Sequence, residues 1–355
     1  DKFNPLAANI SYIPRDSRTG YVQNWSFSIQ RELPWGFLGD LGYVGSHSEK
    51  LIIFADFNEA RPLTTAQLAL PAAQRPTLQQ RRPNQSFSAI TVTWPEATAD
   101  YHALQFRLER KFQNGFSFLN TFVWSKAIDT TGQALEAQGG SGGRSSPQSF
   151  YNLAAERALS DFDQRFNNTT SILYELPFGR NKKWANSLPL AADWVLGGWQ
   201  ISAINSLWSG QPVNLSWNPG ADFQTSISIP DWRGGISYRP NVTGNIMMPE
   251  GQRNQDNWLN AAAVVLPTDP TNPYGNAGRN IGVRPGLAQL DFGLQKSFVL
   301  PWREGMALQF RGEAFNAFNR TNFGNPLVNR SVAGFGSIRS TFPARQVQFA
   351  LRLQF

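Results

Sequence analysis

Apolar and polar residues alternate along much of this chain. In NWSFSIQREL, Trp25, Phe27 and Ile29 fall on one side, and Asn24, Ser26, Ser28 and Gln30 on the other. In ALQFRLERKF, Leu104, Phe106, Leu108 and Phe112 oppose Gln105, Arg107, Glu109 and Lys111. QLDFGLQKSF sets Leu290, Phe292, Leu294 and Phe298 against Gln289, Asp291 and Gln295, and MALQFRGEAF sets Met306, Leu308, Phe310 and Ala314 against Gln309, Arg311 and Glu313. The pattern runs to the last residue: Val347, Phe349, Leu351, Leu353 and Phe355 alternate with Gln346, Gln348, Ala350, Arg352 and Gln354. Weaker versions occur at Phe37–Tyr43, Phe116–Trp124, Ile172–Phe178 and Trp199–Leu207. A period of two places successive side chains on opposite faces, so each run predicts a strand with one apolar and one polar face. The predicted strands cover about 22–33, 37–45, 102–112, 116–126, 166–178, 194–208, 287–299, 305–317 and 345–355.

The period does not say which face meets water. A soluble sandwich turns its apolar face inward; a membrane barrel turns it to lipid and lines its lumen with the polar face. Three features favour the barrel. The runs reach roughly ten residues, the length of a tilted spanning strand rather than the five or six of a globular one. Trp25, Trp124, Trp184, Trp194, Trp199, Trp208 and Trp302 stand at or near predicted strand ends, where interfacial girdles place amphipathic rings. Short links (Pro34-Trp35-Gly36, Gln113-Asn114-Gly115, the 179–193 region and 301–305) alternate with long ones (46–101, 127–165, 209–286 and 318–344). Outer-membrane barrels alternate short periplasmic turns with long extracellular loops in this way. The expected fold class is therefore all-β: an antiparallel up-and-down transmembrane β-barrel segment of about nine or ten long strands. Nine is odd, whereas bacterial single-chain barrels are even. A further strand at Asn9–Ile13, or the SAITVTW run around Ile90, would restore parity. The simpler expectation is that residues 1–355 form the C-terminal part of a longer barrel, with the last strand ending in the periplasm and closing the seam.

Composition sharpens this. Of the 355 residues, 16% are charged, below the roughly 25% of soluble domains, while 13% are aromatic. That aromatic content opposes disorder. The absence of cysteine removes disulfides, thiol nucleophiles and Cys zinc sites. No apolar run approaches a membrane helix, and the start lacks the basic and apolar blocks of a signal peptide. The net charge of +7 comes from scattered residues, which suits an anionic lipid surface and lipopolysaccharide better than nucleic acid.

Longer stretches carry a family resemblance. QRELPWGFLGDLGYVGSHSEKL, YHALQFRLERKFQNGFSFLNTFVWSKAID, SDFDQRFNNTTSILYELPFGR, LGGWQISAINSLWSGQP and FRGEAFNAFNRTNFGNP, in this order, resemble the C-terminal barrel of TonB-dependent outer-membrane receptors. The nearest subset is the Oar-like group, which carries a carboxypeptidase-regulatory-like domain. The resemblance implies a larger barrel with a plug and a TonB box, neither of which has a counterpart here, and coupling to the TonB complex through that N-terminal region. It also implies that Phe355, with Leu353, Leu351 and Phe349, forms the signal read by the barrel-assembly machinery.

No enzyme, cofactor or metal is expected. His47 and His102 lack an accompanying carboxylate or serine pattern and read as surface or loop residues. Asp161 and Asp163 resemble a calcium pair but fall short of six to eight oxygen ligands, so a structural loop pair is expected. The Gly-rich tip at 139–147 lacks the ending of a phosphate loop. Arg107, Glu109, Arg311 and Glu313 are expected to face the lumen, either to pair across strands for structure, the favoured reading, or to meet a solute. The expected function is TonB-energised uptake of an unnamed ligand, with contact at the 127–165 and 209–285 loops. The alternatives are a non-energised porin or adhesin and a soluble secreted all-β binding protein.

Overall fold

The computed structural model describes residues 10–131, 147–180, 182–218, 238–300 and 306–355. Nine strands form one antiparallel meander: β1 (Tyr21–Leu33), β2 (Phe37–Asp56), β3 (Ile90–Gln113), β4 (Phe116–Asp129), β5 (Phe166–Glu175), β6 (Trp199–Trp208), β7 (Leu287–Val299), β8 (Ala307–Phe315) and β9 (Gln346–Gln354). Each is hydrogen-bonded to the next in chain order, with β1 and β9 at the two edges. Neither parity repair adds a wall strand. Ile10–Tyr12 pairs parallel with Ile90–Val92, and Ile90 is the first residue of β3 itself.

The local reasons are plain at the turns. Asn114 and Gly115 both adopt positive φ (54° and 77°), as a tight hairpin turn whose twist matches its strands requires. Trp35 is held at φ 64° between Pro34 and Gly36 and stands almost wholly exposed beyond the strand ends. At Gly45 a side chain is excluded because the Trp25 indole lies across it, 2.2 Å from where a Cβ would sit.

Register then decides the faces. Phe27, Tyr43, Leu104, Trp124 and Phe166 lie side by side on one rung across β1 to β5. On β8 and β9, Leu308, Phe310 and Ala314 oppose Leu353, Leu351 and Val347. These rows do not meet one another in a dry interior. Phe27 is 66% exposed and Phe349 73%. The packed core lies elsewhere: Leu215, Ile246, Leu259, Val264 and Phe335, from the last two long links. A sheet whose largest apolar surface faces outward is stable only where that surface meets hydrocarbon.

Two strands outrun any membrane. β2 has 20 residues and β3 has 24, about 66 and 79 Å at roughly 3.3 Å per residue, against an apolar band of about 25 Å. A register shift at Ser48–Leu51, with Lys50 at φ 57°, bends the pair where the projecting part begins. Beyond it Ile53, Ala55, Thr91 and Val92 are buried.

β6 starts at Trp199 rather than 194. Leu190–Leu196 is instead a short helix opened by Pro189, its last turn closed by Gly197 N–H donating to Asp193 O. Trp194 is therefore a helix residue, while Trp302 and the turn around it lie outside the described residues, as does most of 139–147. Lys296 occupies an apolar-face position on β7, paired with Trp199. It is 2% exposed; its ammonium donates to the carbonyls of Gly197 and Asp193 and lies near the Trp199 and Phe298 rings. The long stem crosses apolar surface while the charge finds backbone oxygens at the strand end.

Candidate functional site

The long links all leave the same end of the sheet, and three of them lock together there. The first, residues 57–89, is wound about Asn58. The Asn58 amide donates to the carbonyls of Asn84 (2.8 Å), Phe87 (3.0 Å) and Ser88 (2.7 Å), and its oxygen accepts from Asn84 N–H (2.8 Å). Asp56, at the end of β2, accepts from the N–H groups of Asn58 (2.9 Å) and Ile90 (3.0 Å) and pairs with buried Arg82 at 3.2 Å. Short polar side chains that bond nearby backbone fix such a loop without regular structure.

The second and third links meet at charged pairs. Arg239 grips Glu156 with both prongs of its guanidinium, and its Nε donates to Ala277 O at 2.9 Å. Gln148 bridges them: its N–H donates to Glu156 (2.9 Å) and its side-chain oxygen accepts from Arg239 N–H (2.7 Å). Arg279 pairs with Asp129 and donates to Glu156 O (3.0 Å). Buried charges persist only when paired and hydrogen-bonded in this way.

Glu59 ties the first link to the other two. Its carboxylate accepts from Ser149 Oγ (2.8 Å), Phe150 N–H (2.6 Å) and the Tyr274 hydroxyl, while its carbonyl accepts from Tyr151 Oη (2.9 Å). Burial pushes the Glu59 carboxyl above the usual carboxylate range, against the pull of those three donors. Burial and the neighbouring Glu59 charge likewise raise the Tyr274 hydroxyl, which keeps its proton. A cavity of about 190 Å³ opens beside this knot, lined by Arg61, Gln148, Tyr151, Asn152, Glu156, Arg239 and Tyr274, among others.

The residues singled out from the sequence lie around this assembly rather than in it. Arg107 and Glu109 share the polar face of β3 and pair with each other at 2.6 Å; Arg311 and Glu313 do the same on β8, where Gln348 of β9 also donates to Glu313 at 2.5 Å. The ion pairs therefore run along a strand rather than across strands, because residues two apart share a face. Phe349, Leu351, Leu353 and Phe355 are exposed along β9 and the residue that follows it. His47 and His102 are strand residues, not loop residues. His47 bonds Asp100 (2.6 Å) and Glu49 (3.3 Å), and His102 meets the Tyr43 hydroxyl (2.8 Å). Asp161 accepts from Asn280 at 2.5 Å and Asp163 from Ala127 N–H at 2.6 Å, so both hold protein donors. The 127–165 and 209–285 loops do contribute the knot, and the 57–89 link is the partner that periodicity did not reveal.

The model of the outer membrane beta barrel domain family matches residues 2–348. The chain belongs to this family. Its place is the outer membrane, and the exposed apolar rows of the barrel face lipid. The soluble sandwich reading falls with them. None of the curated proteins matches the chain. Among solved structures, the barrel is similar to the outer membrane transporter YddB from Escherichia coli (9% identity, 98% of this chain and 34% of that chain, TM-score 0.47). It is also similar to the ferripyoverdine receptor of Pseudomonas aeruginosa (8%, 94% and 27%, TM-score 0.42) and to the FrpB iron transporter from Neisseria meningitidis (9%, 97% and 32%, TM-score 0.40). The chain spans about a third of the length of these structures, or less.

Proposed function

We propose that this barrel is the C-terminal wall of an Oar-like, TonB-dependent receptor, with the plug and the remaining strands supplied by sequence preceding residue 1. In this reading the ligand is met at the loop end and passes, with energy from the TonB complex, along a lumen lined by the polar faces, including Arg107, Glu109, Arg311 and Glu313. The observation that carries it is the ordered cap: three long links knotted by buried Glu59, Glu156 and Arg239 around an open cavity. A sieve has no need of such a built recess, whereas a receptor needs convergent polar groups held rigid. Phe349, Leu351, Leu353 and Phe355 serve the barrel-assembly machinery as its terminal signal.

The test uses the full-length protein from its own cells. Crosslinking to the TonB C-terminal domain, together with a closed state in planar bilayers, is the expected result. A steady open conductance without any crosslink would replace this reading with a non-energised porin.

A further inference from the structure

The wall of the cap cavity is uneven in its unused hydrogen-bonding capacity. Its carboxylates are occupied. Glu156 takes two bonds from Arg239 and one from Gln148 N–H, and Glu59 behind it takes three. The hydroxyl protons of Ser149, Tyr151 and Tyr274 are committed to Glu59. What remains, among the described residues, is mainly donors: the guanidinium of Arg61, the side-chain NH₂ of Gln148 and the amide of Asn152. The Arg61 guanidinium lies over the Tyr151 ring, 3.4 Å from its centroid. Tyr151 is itself fixed by its bond to Glu59 O, so the stack sets the plane of the fork before anything binds. The pair Arg239–Glu156 is neutral as a unit, and among the described residues Arg61 is the cation of the cavity lining without an ion-pair partner.

We propose that this cavity binds an oxyanion group of the ligand, a carboxylate or a phosphate, with Arg61 as its two-pronged anchor and Gln148 and Asn152 as flanking donors. A planar fork matches both groups and forms the stronger class of hydrogen bond with them. At about 190 Å³ the space is smaller than the roughly 300–1,000 Å³ of whole-ligand pockets, so it holds one acidic group of a larger molecule. The proposal rests on the receptor reading only for the side from which the ligand arrives.

The experiment measures binding of succinate, inorganic phosphate and uncharged succinamide to the detergent-purified full-length protein by calorimetry. Succinate or phosphate is expected to bind with a Kd on the order of millimolar, and succinamide not to bind. Which of the two anions binds distinguishes carboxylate from phosphate. Arg61→Gln is expected to weaken binding by about tenfold or more, and Arg61→Lys to weaken it less, because it keeps the charge without the fork. Asn152→Ala gives a second, milder loss, and Lys111→Gln on the barrel wall leaves binding unchanged. Equal affinity in Arg61→Gln, equal binding of succinamide, or no binding of either anion overturns the proposal. None of these results depends on TonB, so failure here and failure of the receptor reading are separate outcomes.

Discussion

Arg239 and Glu156 face each other as a two-pronged ion pair, Nη1 to Oε2 at 2.8 Å and Nη2 to Oε1 at 2.9 Å, across 83 residues of sequence. Both side chains are almost fully buried. Removing one partner strands the other charge out of water, a loss of roughly 3–5 kcal/mol in such settings, whereas replacing both with apolar residues of similar volume is far milder. Glu156→Ala is expected to open the cap to thermolysin at 147–163 and 238–280, while the Glu156→Leu/Arg239→Met double variant stays closed longer. The barrel itself remains heat-modifiable on gels in both.

Glu59 makes the cap pH-dependent. Its carboxyl titrates above the usual range in the folded cap, chiefly through burial. The folded cap thus holds a proton that the unfolded chain releases first, and stability falls as pH rises from the ordinary carboxylate range through the folded value. Protection against hydrogen exchange in the 57–89 and 147–156 segments, after correction for the intrinsic pH dependence of amide exchange, is expected to be greatest at acid pH and to fall as Glu59 ionises. Glu59→Gln flattens that profile; an unchanged profile in the variant excludes Glu59 as the source.

A polar island interrupts the lipid face. Asn120 donates to Asn168 (3.0 Å) and Thr170 (2.8 Å), between Phe118 and Phe122 on its own strand, and Thr170 is four residues from each of Phe166 and Tyr174. Polar side chains at this depth are costly when they face hydrocarbon. The Asn120→Leu/Asn168→Leu/Thr170→Val variant is therefore expected to raise the barrel's urea unfolding midpoint in lipid vesicles, with an unfolding free energy higher by about 1 kcal/mol or more. A lower midpoint means that something other than acyl chains covers this patch.

The wall was legible in the sequence because the bilayer imposes period two on whatever crosses it. Legibility ends where the bilayer does. Leu51, Ile52, Ile53 and Phe54 are four apolar residues in succession although Ile53 is buried and Ile52 exposed, and there alternation of residue type no longer reports a face. Residues 194–196 read as the start of a strand because a seven-residue helix between Pro and Gly is too short to show its period. Lys296 breaks the alternation of QLDFGLQKSF, and the Gly197 and Asp193 carbonyls that its ammonium meets explain it. The cap was invisible for a different reason. Tyr274 lies 215 residues from Glu59 and Arg239 lies 83 from Glu156, and single charges in Gly- and Asn-rich links carry no local signal of such partners.

The orientation of the apolar rows is open to direct measurement because the chain has no cysteine. Single nitroxide labels at residues 104 to 109 on β3, with the full-length protein in lipid vesicles, report collision with lipid-soluble oxygen and with a water-soluble nickel chelate. The account predicts that labels replacing Leu104, Phe106 and Leu108 meet oxygen and those replacing Gln105, Arg107 and Glu109 meet nickel. Nickel at the first set and oxygen at the second, or no alternation, would contradict it.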